Sequence, residues 1–364
     1  MFKAEELFQN VTDKNHPDET VLTIIQGKGT LPREQAGRNI HYDDASLSNY
    51  KKVEQGDFII HLRSFEGGLE MANEAGIVSP AYTILRCKRP HSSLFYDAYF
   101  HTDEFINHNL SKSVEGIRDG RQISYEAFKW LGIPYCEPTE QEEISSLFSV
   151  LNERIAKQRD LVESLKKYKR GLSNSLFDRL SAGSESRLCI FGDMMTILQN
   201  NTFSRDNLSV GGNGVRNIHY GDVLIKYGAV LDLHSENVPV INAEQDISKF
   251  SALSYLRNGD VVFADTAEDY TVGKSTEIIG AENIAALSGL HTIPCRPQDS
   301  FAPMYLGYYF NSDYFKKQLY PMIQGTKVSS ISKSEIIKTK IIVPCLQEQA
   351  RIASIMSALD DRID

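Results

Sequence analysis

The sequence predicts an α+β protein built from two mixed α/β modules in tandem. A long coiled-coil helix joins them, and a second, truncated helix follows at the C-terminus. Two observations carry this prediction. A run of about 40 residues has helical periodicity, and a 15-residue segment recurs 208 residues further along the chain. A length of 364 residues suits two globular units.

Composition narrows the class of protein. The net charge is −9, and 41% of the residues are hydrophobic, which is ordinary for a soluble protein. No apolar run approaches the roughly 18 residues of a membrane span, and no basic-then-apolar leader follows Met1. We therefore expect a cytoplasmic protein with no membrane partner. Five scattered cysteines without a C-x-x-C pair fit reduced thiols. The acidic balance disfavours non-specific adhesion to nucleic acid, although a local DNA-reading surface remains compatible with it.

The long helix is predicted from about Pro138 to Leu180. Residues 137–153 carry five acidic and no basic side chains, and residues 154–170 carry seven basic and two acidic ones. Acidic side chains near the N-terminus of a helix and basic ones near its C-terminus interact favourably with the helix macrodipole, so this order stabilises a helix. A solvated helix is the plain alternative, but apolar residues recur three, four or seven positions apart, as in a helix that packs on another helix. These seam residues are Ile144, Leu147, Leu151, Ile155, Val162, Leu165, Leu172 and Leu176.

An internal repeat predicts the domain organisation. QEEISSLFSVLNERI (141–155) recurs as QARIASIMSALDDRI (349–363) with seven identical residues, and the matching seam positions are Ile352, Ile355 and Leu359. Upstream, EQGDFII (54–60) echoes RNGDVVF (257–263), where Gly-Asp turns lead into apolar strands. The predicted parts are module 1 (1–135), helical arm 1 (136–180), module 2 (181–343) and the start of arm 2 (344–364). Because only about 20 residues follow Pro344, against about 40 in the first arm, the chain either ends early or belongs to a shortened variant.

Motifs that would carry catalysis are missing from the sequence. There is no phosphate-binding G-x-x-x-x-G-K-[ST] loop, no G-x-S-x-G elbow, no H-E-x-x-H pair and no Asn-Pro-Pro-aromatic run. Asp265, Asp269 and Lys274 resemble a nuclease triad, but among 48 acidic residues such coincidences are expected. We therefore expect neither catalytic residues nor a metal site.

The end of the chain resembles a known family. IIVPCLQEQARIASIMSALDDRI (341–363) is similar to the entry of a helical arm in the specificity subunit of type I restriction–modification enzymes. Its counterpart in the first half keeps the helix pattern but spaces Pro134 and Pro138 differently. The resemblance implies a non-catalytic subunit with two target recognition domains, each reading one half of a bipartite double-stranded DNA site. It also implies that the arms set the spacing and dock modification subunits, and that restriction (motor-nuclease) subunits join through the complex. S-adenosylmethionine, ATP and Mg²⁺ would then be bound by the partner subunits, with no cofactor in this chain.

Candidate DNA-binding residues are polar or basic side chains on loops, since these match the donors and acceptors of base edges and phosphates. The loops just before each arm are favoured because they recur at equivalent places. In module 1 the candidates are Arg63, Ser64, Arg118, Arg121 and Gln122, and in module 2 they are Asn201, Thr202, Arg205, Lys226, Lys327, Ser329 and Ser330.

Two other functions remain open at this point. The first alternative is the recognition fragment of a fused methyltransferase–nuclease, which a methyl-transfer assay on the isolated chain would detect. A structural coiled-coil adaptor without a DNA role is the second alternative. DNA selection from a random pool with the assembled complex would distinguish it.

Overall fold

The computed structural model describes residues 1–36, 44–116, 121–184, 186–212, 214–235, 238–269, 271–325 and 328–363, with the backbone alone for 44–46. The chain divides into two compact units, Met1–Gln158 and Arg159–Asp364. Each unit contains helices and strands. The mixed helix and sheet content confirms the α+β prediction.

The first unit is built on a four-stranded antiparallel sheet in the order β2-β9-β6-β7, and smaller two-stranded pairs surround it. Its strands are β1 Phe2–Lys3, β2 Phe8–Val11, β3 Leu22–Ile25, β4 Gly29–Pro32, β5 Lys51–Val53, β6 Phe58–Ile60, β7 Glu70–Met71, β8 Gly76–Val78, β9 Thr83–Cys87, β10 Val114–Glu115, β11 Gln122–Ile123 and β12 Gly132–Ile133. Its helices are α1 Ala4–Leu7, α2 Ser64–Gly67, α3 Ser93–Phe100, α4 Tyr125–Phe128 and the first part of α5 Pro138–Ala182.

The second unit has a five-stranded sheet, β14-β23-β19-β21-β17, and a four-stranded sheet, β15-β18-β16-β22. Its strands are β13 Arg187–Ile190, β14 Met195–Ile197, β15 Leu208–Ser209, β16 Arg216–Ile218, β17 Val230–Asp232, β18 Val240–Ile241, β19 Val261–Ala264, β20 Thr266–Ala267, β21 Ser275–Ile279, β22 Ala286–Ser288, β23 Thr292–Pro297, β24 Ser329–Ser330 and β25 Lys340–Val343. Besides the end of α5, its helices are α6 Phe191–Met194, α7 Tyr220–Ile225, α8 Tyr305–Phe310, α9 Asp313–Leu319, α10 Lys333–Ile336 and α11 Leu346–Ile363.

The internal repeat extends to the topology. The order β2-β9-β6-β7 in the first unit corresponds to β14-β23-β19-β21 in the second. The sequence echo predicts strands after both Gly-Asp turns, and these strands, β6 and β19, lie at inner positions of the two sheets. In each unit the strand near the start pairs antiparallel with the strand that precedes the arm, β1 with β12 and β13 with β25. Each unit is thus closed by the segment that leads into its helix.

Aromatic side chains fill the core of each unit. In the first, Phe8 and Phe58 of the sheet pack against Phe100 at the end of α3, and all three side chains are fully buried. In the second, Phe191 and Phe263 occupy the corresponding core. Full burial of such a side chain stabilises the fold by about 2–3 kcal/mol. The two cores make each unit a stable support for its surface loops.

Helix α5 confirms the predicted long helix, with 45 residues from Pro138 to Ala182. Its last turns enter the core of the second unit, where Leu176, Phe177 and Leu180 are buried. Helix α11 confirms the second predicted helix, and Ile352 and Met356 pack in the same core.

Candidate functional site

Two candidate loops of the first unit lie next to each other. Arg63 is exposed directly before α2, and the guanidinium group of Arg121 lies 4.2 Å from the ring centre of Phe65 in that helix. Gln122 is exposed on β11 beside Arg121. The fold therefore brings Arg63 and Arg121, which are far apart in sequence, to one surface.

Ser64 has a local structural role. Its side chain is fully buried, and its Oγ accepts a hydrogen bond of 2.9 Å from the backbone N–H of His61. This contact holds the turn that presents Arg63 and the exposed Leu62. Arg118 lies outside the described residues.

The first candidate loop of the second unit contains a buried and an exposed member. Asn201 is 1% exposed, and its Nδ2 donates to Oδ1 of Asn217 at 2.6 Å. Its Oδ1 accepts from the backbone N–H of Phe203 at 3.1 Å. Thr202, between them, is exposed. In this structure Asn201 shapes the loop, and Thr202 is the side chain that the loop presents to solvent.

Arg205 and Lys226 both contact the carboxylate of Asp222. Arg205 donates to Asp222 from Nη1 at 2.7 Å and from Nη2 at 3.0 Å, and Lys226 Nζ lies 3.0 Å from the same carboxylate. Burial opposes ionisation of Asp222, but hydrogen bonds from Arg205 and Lys226 outweigh it and hold the pKa of the carboxyl below its usual value. Both cations are about half exposed, so the cluster presents a net positive charge at the surface.

The loop before the second arm is anchored by a short strand pair. Ser329 and Ser330 form β24, which pairs antiparallel with Thr266–Ala267, and both side chains are half-buried. Lys327 lies outside the described residues. Three residues beyond Ser330, Lys333 donates to Oδ1 of Asn200 at 3.2 Å, which connects this loop with the Asn201 loop.

Two exposed lysines beside these loops were not among the sequence candidates. One is Lys333, and the other is Lys249, whose Nζ lies 5.5 Å from the ring centre of Phe203 and 5.4 Å from that of Phe250. Lys249 precedes an aromatic residue in sequence, which is a weak signal. Its proximity to the Asn201 loop depends on tertiary structure alone.

The predicted seam of the arms has two environments. On α5, Leu147, Leu151 and Ile155 are 60%, 45% and 49% exposed. Ile144, Val162 and Leu165 are half-buried. On α11, Ile352 and Leu359 are buried and Ile355 is half-buried. The second arm is thus packed on its own module, whereas the middle of the first arm presents an apolar face.

The described residues contain neither a metal-binding cluster nor a membrane-spanning helix. Within the described ranges, no group of three or more His, Cys, Asp or Glu side chains is arranged to hold a metal ion. Nor is any helix in the described part of the chain both long and apolar enough to cross a membrane.

The second half of the chain is similar to a known protein family. Residues 192–364 match the type I restriction modification DNA specificity domain. No curated protein matches the sequence. A chain from a study of complex assembly and conformational transition of the type I R-M system has 19% identity and a TM-score of 0.57, over 100% of this chain and 90% of that one. The S subunit of a type I restriction–modification system from M. genitalium has 14% identity and a TM-score of 0.55, over 100% of this chain and 89% of that one. At these identities the likeness is one of fold, and it extends over both units.

Proposed function

We propose that each of the two modules of this chain reads one half of a bipartite DNA site. Residues 192–364 belong to the type I restriction modification DNA specificity domains. The chain is a DNA sequence-recognition subunit and is non-catalytic. The family match does not favour the alternative of a fragment from a fused methyltransferase–nuclease.

One observation supports the proposal that both modules read DNA. The family match covers the second module, and the first module repeats its central sheet order, β2-β9-β6-β7 against β14-β23-β19-β21. The repeat includes the strand pair that closes each module before its arm. Two copies of one reader fit a target with two half-sites, since repeated modules bind repeated sites. We take 1–135 and 181–343 as the two readers and 136–180 and 344–364 as the arms.

The basic loop surfaces support contact with DNA. In the second module, Thr202, Arg205, Lys226 and Lys249 are exposed or half-exposed around the Asn201 loop. Arg63 and Arg121 play this part in the first module. Lysine and arginine on such loops bind phosphates and position the module, and side chains such as Thr202 and Gln122 read base edges.

The exposed apolar face of α5 supports docking of modification subunits on the arm. Leu147, Leu151 and Ile155 are large apolar side chains at helical spacing, and contiguous apolar surface of this kind marks protein interfaces. Modification subunits would bind S-adenosylmethionine, and restriction subunits, which join through the complex, would bind ATP and Mg²⁺. We propose the cytoplasm as the location, because the DNA target and these partners meet there.

Exchange of one module tests the proposal. Residues 1–135 are replaced by the first module of another specificity subunit, and the chain is expressed with its modification partners in a methylation-free host. Methylome sequencing should show one half-site changed and the other retained at the same spacing. Changes in both half-sites, or in neither, would contradict independent reading by two modules. The reciprocal exchange of 181–343 is the matched control.

A further inference from the structure

A buried glutamine joins the long helix to the first module. Gln141 lies in the first turn of α5 and is fully buried. Its Oε1 accepts a hydrogen bond of 3.0 Å from the backbone N–H of Ser92, and its Nε2 donates to the backbone carbonyl of Cys136 at 2.8 Å. Both ends of the amide are therefore used to connect the helix with the module and with the chain that enters the helix.

The rest of this joint is small and polar. Ser145, one turn further on, is 5% exposed, and its Oγ lies 3.2 Å from Oγ of Ser92. Ser92 also accepts a hydrogen bond from the backbone N–H of Phe95 at the start of α3. Between residues 138 and 158, Gln141 and Ser145 are the buried residues, and every residue from 146 to 158 is exposed. The helix thus leaves the first module through contacts that are mainly hydrogen bonds.

The second joint repeats the glutamine but not its surroundings. Gln349 is 1% exposed, its Oε1 accepts from the backbone N–H of Ala302 at 2.9 Å, and its Nε2 donates to the carbonyl of Pro344 at 2.8 Å. Ala353, at the position equivalent to Ser145, is buried with Ile352 and Met356 in the core of the second unit. Apolar packing therefore fixes α11 independently of the glutamine.

We infer that Gln141 is the positioning residue that fixes the direction in which α5 leaves the first module, and that Gln349 contributes less to the second joint. Hydrogen bonds depend on angle as well as distance, so a bridge of two bonds restrains rotation of the helix start. The consequence for DNA rests on the proposed function. If the two modules read two half-sites, the direction of α5 decides which spacing of these half-sites the complex accepts.

A distance measurement on the full chain tests the joint without DNA. Gln141→Met keeps the side-chain length and removes both hydrogen bonds. Gln158→Met, at an exposed site on the same helix, is the matched control. Spin labels are placed at Asp18 and Ser149, two exposed positions of the first unit, through a non-canonical amino acid. The distance distribution should broaden by about twofold or more in Gln141→Met, because a directional restraint is lost, and stay unchanged in Gln158→Met. An unchanged distribution in Gln141→Met would overturn the inference.

A methylation assay tests the consequence for spacing. The assembled complex methylates DNAs that carry both half-sites at spacings one base pair shorter, equal and one longer. In Gln141→Met the preference for the cognate spacing should fall by about tenfold, the scale of one or two lost buried hydrogen bonds, and in Gln349→Met by less than about threefold. If methylation falls by the same factor at all spacings, Gln141 only stabilises the protein, and the inference is overturned.

The two proposals fail in different ways. If the wild-type complex shows no dependence on spacing, the proposed function is wrong, and the label distances alone decide on the joint. If Gln141→Met does not fold, Gln141→Glu takes its place, since it keeps the acceptor for Ser92 and loses the donor to Cys136. The distribution should broaden there too, but by less than about twofold because the hydrogen bond from Ser92 is kept, and a distribution like that of wild type would count against the inference.

Discussion

Arg296 holds the buried carboxylate of Asp260 through two parallel hydrogen bonds, from Nε at 2.9 Å and from Nη2 at 2.7 Å. Arg86 holds Asp57 in the same way in the first module, at 2.8 and 2.7 Å. In both modules the carboxylate also accepts the backbone N–H of the residue three positions earlier. The Asp belongs to the Gly-Asp turn before the central strand, and the Arg lies on the neighbouring strand, so the pair fixes the register of the two strands.

Asp260→Asn should destabilise the second unit by about 3 kcal/mol, because the substitution leaves the Arg296 guanidinium without its charged partner in a largely buried site. Asp57→Asn should have a similar effect on the first unit, somewhat reduced because Arg86 is more exposed. Denaturant unfolding measures both changes. Asp299→Asn, at an exposed site, is the control, and a loss in Asp260→Asn no larger than in this control would refute a structural role for the pair.

These pairs illustrate what local sequence can predict. The Gly-Asp turn and the following apolar run are local signals, so strands β6 and β19 were predictable, and the periodicity of 138–180 predicted α5. The partner of Asp260 was not, since Arg296 is 36 residues away in sequence and reaches it only through the pairing of β19 with β23.

The same limit applies to the candidate site. Solvent-exposed loops were predicted around Asn201 and Arg205, but the sequence does not reveal that Asn201 bonds with Asn217 or that Arg205 bonds with Asp222. Both contacts depend on how β16 and α7 pack beside the loop. Asn and Arg suit base reading by residue type, whether or not the fold pairs them with other side chains. The assignment of DNA-binding residues therefore stays a prediction.

Glu277 makes the second unit sensitive to pH. Burial raises the pKa of its carboxyl to about 7, although backbone N–H groups of Gly307 and Met304 donate to it and work in the opposite direction. Because the native pKa lies above the unfolded value, the native state binds more protons between about pH 4.5 and 7. The contribution of Glu277 to stability is therefore fully present at low pH and is lost as the pH rises through 7.

The variant Glu277→Gln removes this titration. From pH 5 to pH 8, the unfolding free energy of wild type should fall by about 2 kcal/mol relative to the variant. Denaturant unfolding at several pH values provides the comparison. Parallel curves for the two proteins would show that Glu277 is already ionised throughout this range.

The two environments of the seam predict two different outcomes for the same kind of substitution. Leu151→Asp lies at an exposed position, so the chain should keep its thermal stability but lose its modification subunits in size-exclusion chromatography. Ile352→Asp places a charge in the core and should cost about 3 kcal/mol or more. If Leu151→Asp still forms the complete complex, the apolar face of α5 is not the docking surface.

Lys249 provides a test of DNA contact by the second module. Lys249→Gln in the assembled complex should weaken DNA binding by about three- to tenfold on all sequences and lower the salt-dependence slope by about one, as expected for one lost phosphate contact. Lys317→Gln, an exposed site on α9, is the control. An unchanged affinity and slope would place Lys249 away from the DNA.

The proposal that the first arm acts as a spacer predicts how an insertion in α5 changes the DNA target. Four residues inserted after Lys157 add about 6 Å to a helix, whereas B-DNA rises about 3.4 Å for each base pair. The preferred gap between half-sites should therefore grow by one or two base pairs. The half-sites themselves should stay the same, because neither module is altered. Four residues exceed one helical turn by about 40°, so the apolar face keeps nearly the same direction. Methylome sequencing of the insertion variant measures the gap, and full activity at the original spacing would show that another element sets it.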